Sequence, residues 1–451
     1  MPTGHRSAGA LVRIRGGTRD GRRIRPALAA LLLLVVVIVA PARAATLVSE
    51  STWGGPVSEV TNGVAVAADG STYLTGFTTS FDPFGQQQLF LVKHAPDGTI
   101  GWQRTWEGPD QFGNDEGTDI AVAPDGSVYV TGRTLGNRGD ILLLKFSADG
   151  LLLWQRRWDS GATEGGVALA IAGDGSVYVV GGTTLGEGHA VLLRFAPDGS
   201  LVSQRLFGPA RADGVGVGTD GSIYLAGTAL RPGGGADVVA AKLDASGALV
   251  WQRAYSGSEI ADARGGLAVG PDGSVYLAGA IQATTPSVVV DALIVKFDAN
   301  GNLIFDRGWG GRSGDVGGGV AALADGTAVL VGDTNSFGAG SDDAFTLRLS
   351  ASGRGLDANT WGGLGIDHGD DVVLAAGGTV VVGATTENRA PYTFQRASSR
   401  AYRVRGTARV SQLSLADVAG MVADPAGTIA AAGGTTPGAG GIDAAVLRIA
   451  P

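Results

Sequence analysis

The sequence predicts an all-β protein, a closed β-propeller of four-stranded blades. Three observations carry this. A tight-turn signature returns eight times, at spacings of 46 to 56 residues. The apolar residues between the turns follow the two-residue period of a strand, with no 3.6-residue helical pattern. The first strand-like segment matches the strand type missing from the end of the chain. A fixed period in this range marks a propeller or solenoid.

The turn is clearest at Pro124-Asp125-Gly126-Ser127, which runs into Val128-Tyr129-Val130-Thr131-Gly132. Its equivalents are Asp69-Gly70, Asp174-Gly175, Asp220-Gly221, Asp272-Gly273 and Asp325-Gly326. Two degenerate copies follow, Gly377-Gly378 and Ala426-Gly427. Asp-Gly between apolar runs is a hairpin signal, because glycine accepts positive φ without a steric penalty. Each period then reads alike. Strand A is short and small-apolar (Asp119-Ile120-Ala121-Val122), and strand B is Val/Tyr-rich and ends at glycine. Strand C follows a variable loop (Asp140-Ile141-Leu142-Leu143-Leu144-Lys145-Phe146). A second turn leads to strand D (Leu153-Trp154-Gln155-Arg156-Arg157-Trp158). Strands A to C are apolar at both parities, as expected for a blade covered on both faces. The eight tryptophans fall on strand D or its equivalents, which suits packing between blades.

The last period ends in strand C, Val446-Leu447-Arg448-Ile449, with no strand D after it. Thr46 to Trp53 matches strand D, so the N-terminal strand is expected to complete the last blade and remove an open edge. Eight turns give eight blades. Seven blades with one irregular insertion is the alternative, because the seventh period is the least regular.

Residues 1–44 differ from the rest. An arginine-rich start precedes the apolar run Ala27 to Ala40, and Pro41-Ala42-Arg43-Ala44 ends in a small-x-small pattern. This reads as a signal peptide, leaving 45–451 as a single propeller domain with no membrane span. Secretion, or a cell-surface or periplasmic location, is the expectation. Segment 1–44 holds eight of 34 basic and one of 42 acidic residues, so the remainder carries 26 − 41 = −15. Such an acidic surface does not suit nucleic acid. With no cysteine, disulfides, thiolate metal sites and cysteine nucleophiles are excluded.

The motifs Trp309-Gly310-Gly311, Trp361-Gly362-Gly363, Val128-Tyr129-Val130-Thr131-Gly132-Arg133-Thr134 and Asp343-Ala344-Phe345 resemble the bacterial SBBP β-propeller repeat family over about residues 46–451. The resemblance implies an exported or surface propeller and does not imply a chemistry.

In a propeller the A–B and C–D turns share one rim, and the B–C and D–A connections share the other. The variable loops, such as 78–88, lie on the second rim, where binding is expected. Acids recur there. Glu59, Asp115, Glu164, Asp262 and Asp315 each stand ten residues before a turn aspartate, and Asp367 takes this place in the seventh period. A second set, Asp140, Asp237, Asp291, Asp343 and Asp443, opens strand C. The first set offers oxygen ligands for Ca²⁺. The competing reading is loop capping, in which each carboxylate accepts backbone N–H bonds. Arg389, Arg396, Arg400, Arg403, Arg405 and Arg409 form a basic run in the seventh period.

No catalytic motif stands out. His94, His189 and His368 lie in different periods, and no nucleophile elbow or phosphate loop occurs. The expected function is a monomeric, non-catalytic, cofactor-free scaffold for an extracellular protein or glycan. The alternative is a carbohydrate-active hydrolase or lyase using Asp367, Asp370 and Asp371. The axial channel separates them: a deep pocket with unlike, non-repeating residues favours the enzyme, and repeat-equivalent residues favour the scaffold.

Overall fold

A computed structural model describes residues 46–450 except 109–112, 136–137, 186–187, 209, 232–234, 257–260, 284–288 and much of 388–441. Within 388–441 it describes 393–397, 399 and the backbone of 409–411, 416–418, 423–424 and 428–430. The 1–44 segment and the turn Ala426-Gly427 lie outside the described residues.

The described strands form seven antiparallel sheets, each built on four strands in the order A-B-C-D. Blades 1 to 4 span residues 59–107, 114–158, 164–208 and 210–256. Blades 5 and 6 span 261–309 and 315–362, and strand A of blade 5 is split into Ala261–Asp262 and Leu267–Val269. Blade 7 is made of Asp367–Leu374, Val380–Glu387, Ile442–Ala450 and Thr46–Trp53. The N-terminal strand pairs with the C-terminal one from Thr46↔Ala450 to Trp53↔Ala444.

The expected eighth blade is not formed. The strands on either side of Ala426-Gly427 do not pair with each other. Ala423–Asp424 joins strand D of blade 2, and Thr428–Ala430 joins strand D of blade 1. Three earlier pieces, Thr393–Arg396, Arg409–Ser411 and Ala416–Val418, add to strand D of blades 6, 4 and 3. The irregular insertion thus supplies fifth strands that cover outer edges. Among the described residues no helix is long and apolar enough to cross a membrane.

The repeated motifs have local causes. At Ala123 to Ser127, Gly126 N–H bonds to Ala123 O at 2.9 Å and Ala123 N–H to Ser127 O at 2.8 Å. Gly126 stands at φ 82°. Asp125 Oδ1 accepts Ser127 N–H at 2.8 Å. This is a three-residue hairpin loop whose last residue is left-handed, the position that calls for glycine.

Strand D staples each blade to the next. Trp102 Nε1 donates to Ala148 O at 3.1 Å, and Arg104 Nε to Gly150 O at 2.9 Å. Arg156, Arg253 and Arg307 repeat the arginine bond on Gly199, Gly301 and Gly353. The tryptophan near the end of the strand donates to the next blade's glutamine: Trp53 to Gln103, Trp106 to Gln155, Trp158 to Gln204. Trp53, Trp106, Trp158 and Trp309 are fully buried, so these side chains form blade interfaces. Among the described residues, blade-to-blade backbone contact is limited to isolated bonds, such as Asp115 N–H to Gln87 O and Asp367 N–H to Asp342 O, both at 2.9 Å. Packing and side-chain bonds such as those of strand D hold neighbouring blades together.

Candidate site in the axial channel

Strand A is innermost in every blade. In six blades its pairing with strand B shifts register by one residue: at Asn62, Thr118, Val167, Asp213, Gly318 and Asp370. A bulge leaves one residue unpaired and re-aims it. All six residues line a central channel of about 510 Å³, joined by Arg264 from the break in blade 5. One structural position thus carries Asn, Thr, Val, Asp, Gly and Asp in different blades. The position two residues earlier varies as widely, with Val60, Glu116, Gly165, Arg211, Val316 and His368.

The carboxyl groups lining the channel belong to Glu116, Asp119, Asp213, Asp333, Asp370 and Asp371. Four have side-chain partners. Glu116 pairs with Arg133 Nε at 2.9 Å, and Asp213 with Arg211 Nε at 2.6 Å. Asp213 also accepts Thr228 Oγ1 at 2.7 Å. His368 Nδ1 stands 3.5 Å from Asp333 Oδ1, and that bond foremost raises the His368 pKa to about 9. Asp370 Oδ2 accepts the Thr385 hydroxyl at 2.7 Å. Burial pushes the Asp370 pKa up to about 8 against that bond, so the carboxyl keeps its proton at neutral pH.

Asp119 and Asp371 are interblade clips. Asp119 accepts Ile120 N–H and, from blade 3, Leu169 N–H, both at 2.7 Å. Asp371 accepts Val372 N–H at 2.7 Å and, from blade 1, Val64 N–H at 3.0 Å. Burial raises both, with Asp119 pushed to about 8 by desolvation and by the charge of Asp371.

The acids proposed as a calcium ring behave as loop caps. Glu59 accepts Gly55 N–H at 2.8 Å and Thr78 Oγ1 at 2.6 Å. Asp115 accepts Gly108 N–H at 2.7 Å, Asp315 accepts Gly311 N–H at 2.9 Å, and Asp367 accepts Gly363 N–H at 2.8 Å. Glu164 accepts Thr183 Oγ1 at 2.7 Å, and Asp262 pairs with Arg264 at 3.2 Å. Glu59, Asp115, Asp315 and Asp367 thus hold the connection arriving from the preceding blade. The two acidic sets do meet, however, in pairs across blade boundaries. A Cβ on Gly310 would lie 2.4 Å from both Asp291 Oδ1 and Asp315 Oδ2. One on Gly362 would lie 2.4 Å from Asp343 Oδ1 and 2.7 Å from Asp367 Oδ2. This is the reason the tryptophan is followed by glycine at these corners.

Of Asp367, Asp370 and Asp371, the structure leaves Asp370 as the acid aimed at the channel without a backbone clip. His94 and His189 stay apart, bonded near Ser51 and to Leu185 O respectively. In the basic run, Arg396 pairs with Asp357 at 3.3 Å. Arg389, Arg400, Arg403, Arg405 and the Arg409 side chain lie outside the described residues, as does the Asp443 side chain. The sequence reading missed Asn62, Thr118, Asp213 and Arg264. Their signal was departure from the repeat, one residue off the strand's alternation.

Among comparisons with known proteins, a family model agrees with the fold. A family model described as a domain of unknown function (DUF5122) beta-propeller matches residues 172–201. A search of curated proteins finds no match. Among solved structures, a protein of unknown function from Dyadobacter fermentans has a TM-score of 0.42 at 10% identity, covering 90% of this chain and 99% of its own. The polysaccharide lyase Uly1 has a TM-score of 0.46 at 10% identity, covering 88% and 91%. A PL25 ulvan lyase has a TM-score of 0.37 at 9% identity, covering 80% and 98%. The chain is a β-propeller.

Proposed function

We propose that this is an exported propeller of SBBP-like repeats that binds a neutral or amino-sugar glycan in its axial channel. One observation carries the reading: the bulge residues that line the channel, at one equivalent position in six blades, are of five different types. A scaffold using all blades alike gives no reason for that difference. With Glu116, Asp213 and Asp333 paired to Arg133, Arg211 and His368, and with Asp119 and Asp370 protonated at neutral pH, the channel carries little free charge, which suits a neutral ligand. Asn62, Thr118 and the carboxyl oxygens suit sugar hydroxyls and ammonium groups. The signal-like segment 1–44 and the net charge of −15 beyond it support export and argue against nucleic acid.

A glycan array probed with residues 45–451 tests this. Binding to neutral or amino-sugar glycans, weakened at least tenfold by Asp370→Ala and by Arg264→Ala, is expected. Preference for uronate or sulfated glycans overturns it.

A second reading, glycoside hydrolysis, is favoured by the protonated Asp370 carboxyl, which suits a general acid at neutral pH. A polysaccharide-cleavage assay separates the two. Under hydrolysis, Asp370→Asn abolishes cleavage and spares binding. If wild type cleaves nothing on glycans it binds, the hydrolase reading fails.

A further inference from the structure

The corner between blades 2 and 3 departs from its equivalents. Three corners carry Trp53-Gly54, Trp309-Gly310 and Trp361-Gly362, whereas this one carries Trp158-Asp159; Glu107 follows Trp106 in the same way, but strand C there opens on Gln88, which bonds to Glu107, and not on an aspartate. Gly310 and Gly362 are required because two carboxylates occupy the space of a side chain. Here a third carboxylate has been added instead. Oxygens of Asp140, Asp159 and Glu164 all lie within 4.8 Å of one another.

Two of the three are buried, Asp140 and Glu164 each at 3% exposure. The Glu164 Oε1 atom is used: Thr183 Oγ1 donates to it at 2.7 Å, and Ser160 Oγ also bonds it. Glu164 Oε2 is buried and accepts no hydrogen bond. A buried carboxylate oxygen without a donor costs the full desolvation of that atom unless a cation or proton meets it. Arg157 does not meet it. Both its bonds into the group go to Asp140 Oδ2, through Nε at 2.7 Å and through Nη2.

Charge gives the valence. Three carboxylates and the one guanidinium bonded among them sum to −3 + 1 = −2, which a divalent cation balances. An all-oxygen set with flexible denticity and room for water suits a hard ion of Ca²⁺ size better than the strict octahedron of Mg²⁺. Asp159 is exposed and leaves the corner open to the loop rim.

We propose that Asp140, Asp159 and Glu164 bind a Ca²⁺ ion between blades 2 and 3. The ion ties strand C of blade 2, the loop after its strand D, and the start of strand A of blade 3. This site is separate from the axial channel, and its test does not depend on any glycan.

Calorimetry on residues 45–451, stripped with EDTA and titrated with CaCl2 and with MgCl2, tests it. Expected is one Ca²⁺ per chain, with an affinity in the range of calcium modules outside the cell, about 10⁻⁴–10⁻³ M, and weaker Mg²⁺ binding. Asp159→Gly restores the glycine of those three corners and is expected to fold, with unchanged far-ultraviolet circular dichroism. It should weaken Ca²⁺ binding at least tenfold and abolish the Ca²⁺-dependent rise in Tm. Glu164→Gln should do the same. Absence of heat and of a Tm shift up to about 10 mM CaCl2 overturns the proposal. So does wild-type affinity in folded Asp159→Gly.

Discussion

Trp53, in the first strand of the propeller, donates its indole N–H to Gln103 Oε1 of the next blade at 2.7 Å. Both side chains are buried, Trp53 at 1% exposure. The bond joins blade 7 to blade 1, where the two ends of the chain have come together. Replacing Gln103 by Leu keeps most of the volume and leaves the indole N–H without its partner. A loss of about 1–3 kcal/mol is expected. Urea denaturation followed by tryptophan fluorescence measures it, and an unchanged midpoint would show that the bond contributes nothing.

Glycines of the repeat divide into two kinds. At Gly310 an added Cβ meets two carboxylate oxygens at 2.4 Å, and at Gly173 it meets nothing within 4 Å. Gly310→Ala should destabilise by about 1–3 kcal/mol, whereas Gly173→Ala should stay within about 0.5 kcal/mol of wild type. Equal melting temperatures for the two variants would contradict the corner geometry.

Acidity should favour the folded state through the channel acids. Burial raises the Asp370 pKa from 3.8 to about 8. The folded protein therefore holds a proton that the unfolded chain releases as pH passes 3.8. Stability from this group is complete below pH 3.8 and is lost as pH rises toward about 8. Asp119, also pushed to about 8, acts with the same sign. His368, raised from 6.5 to about 9 by Asp333, adds stability below pH 6.5 that is lost as pH rises through 9. Thermal melts of Asp370→Asn between pH 4 and 8 should show a shallower decline than wild type. An identical slope would mean that Asp370 is ionised in the folded protein.

Much of this architecture was legible in the sequence because it is local. Turn, strand length and the strand D motif all act within one period of about fifty residues, and each repeats. The eighth blade was misread for the opposite reason. Ala426-Gly427 sits between two short apolar stretches that look like a hairpin, but 423–424 and 428–430 pair with blades whose sequences lie over 250 residues earlier. No local pattern reports such a partner. The site was half legible. Asp370 and Asp371 are visible as neighbouring acids. A one-residue bulge sends Asp370 toward the channel and ties Asp371 to Val64. Register decides between them, and a one-residue slip in register exchanges the faces of a strand.

Blade 7 also sets an order in time. Its outermost strand, Thr46–Trp53, leaves the ribosome before the other six blades, and its partner, Ile442–Ala450, after them. Each of the six intervening blades can pair its strands A to D within its own stretch of chain as it emerges. The seventh cannot. Until the final strand arrives, the first is a lone ribbon with Trp53 uncovered, and the barrel of blades is a C-shaped arc with an open gap. A chain cut short by a dozen residues would keep six finished blades and lose the ring.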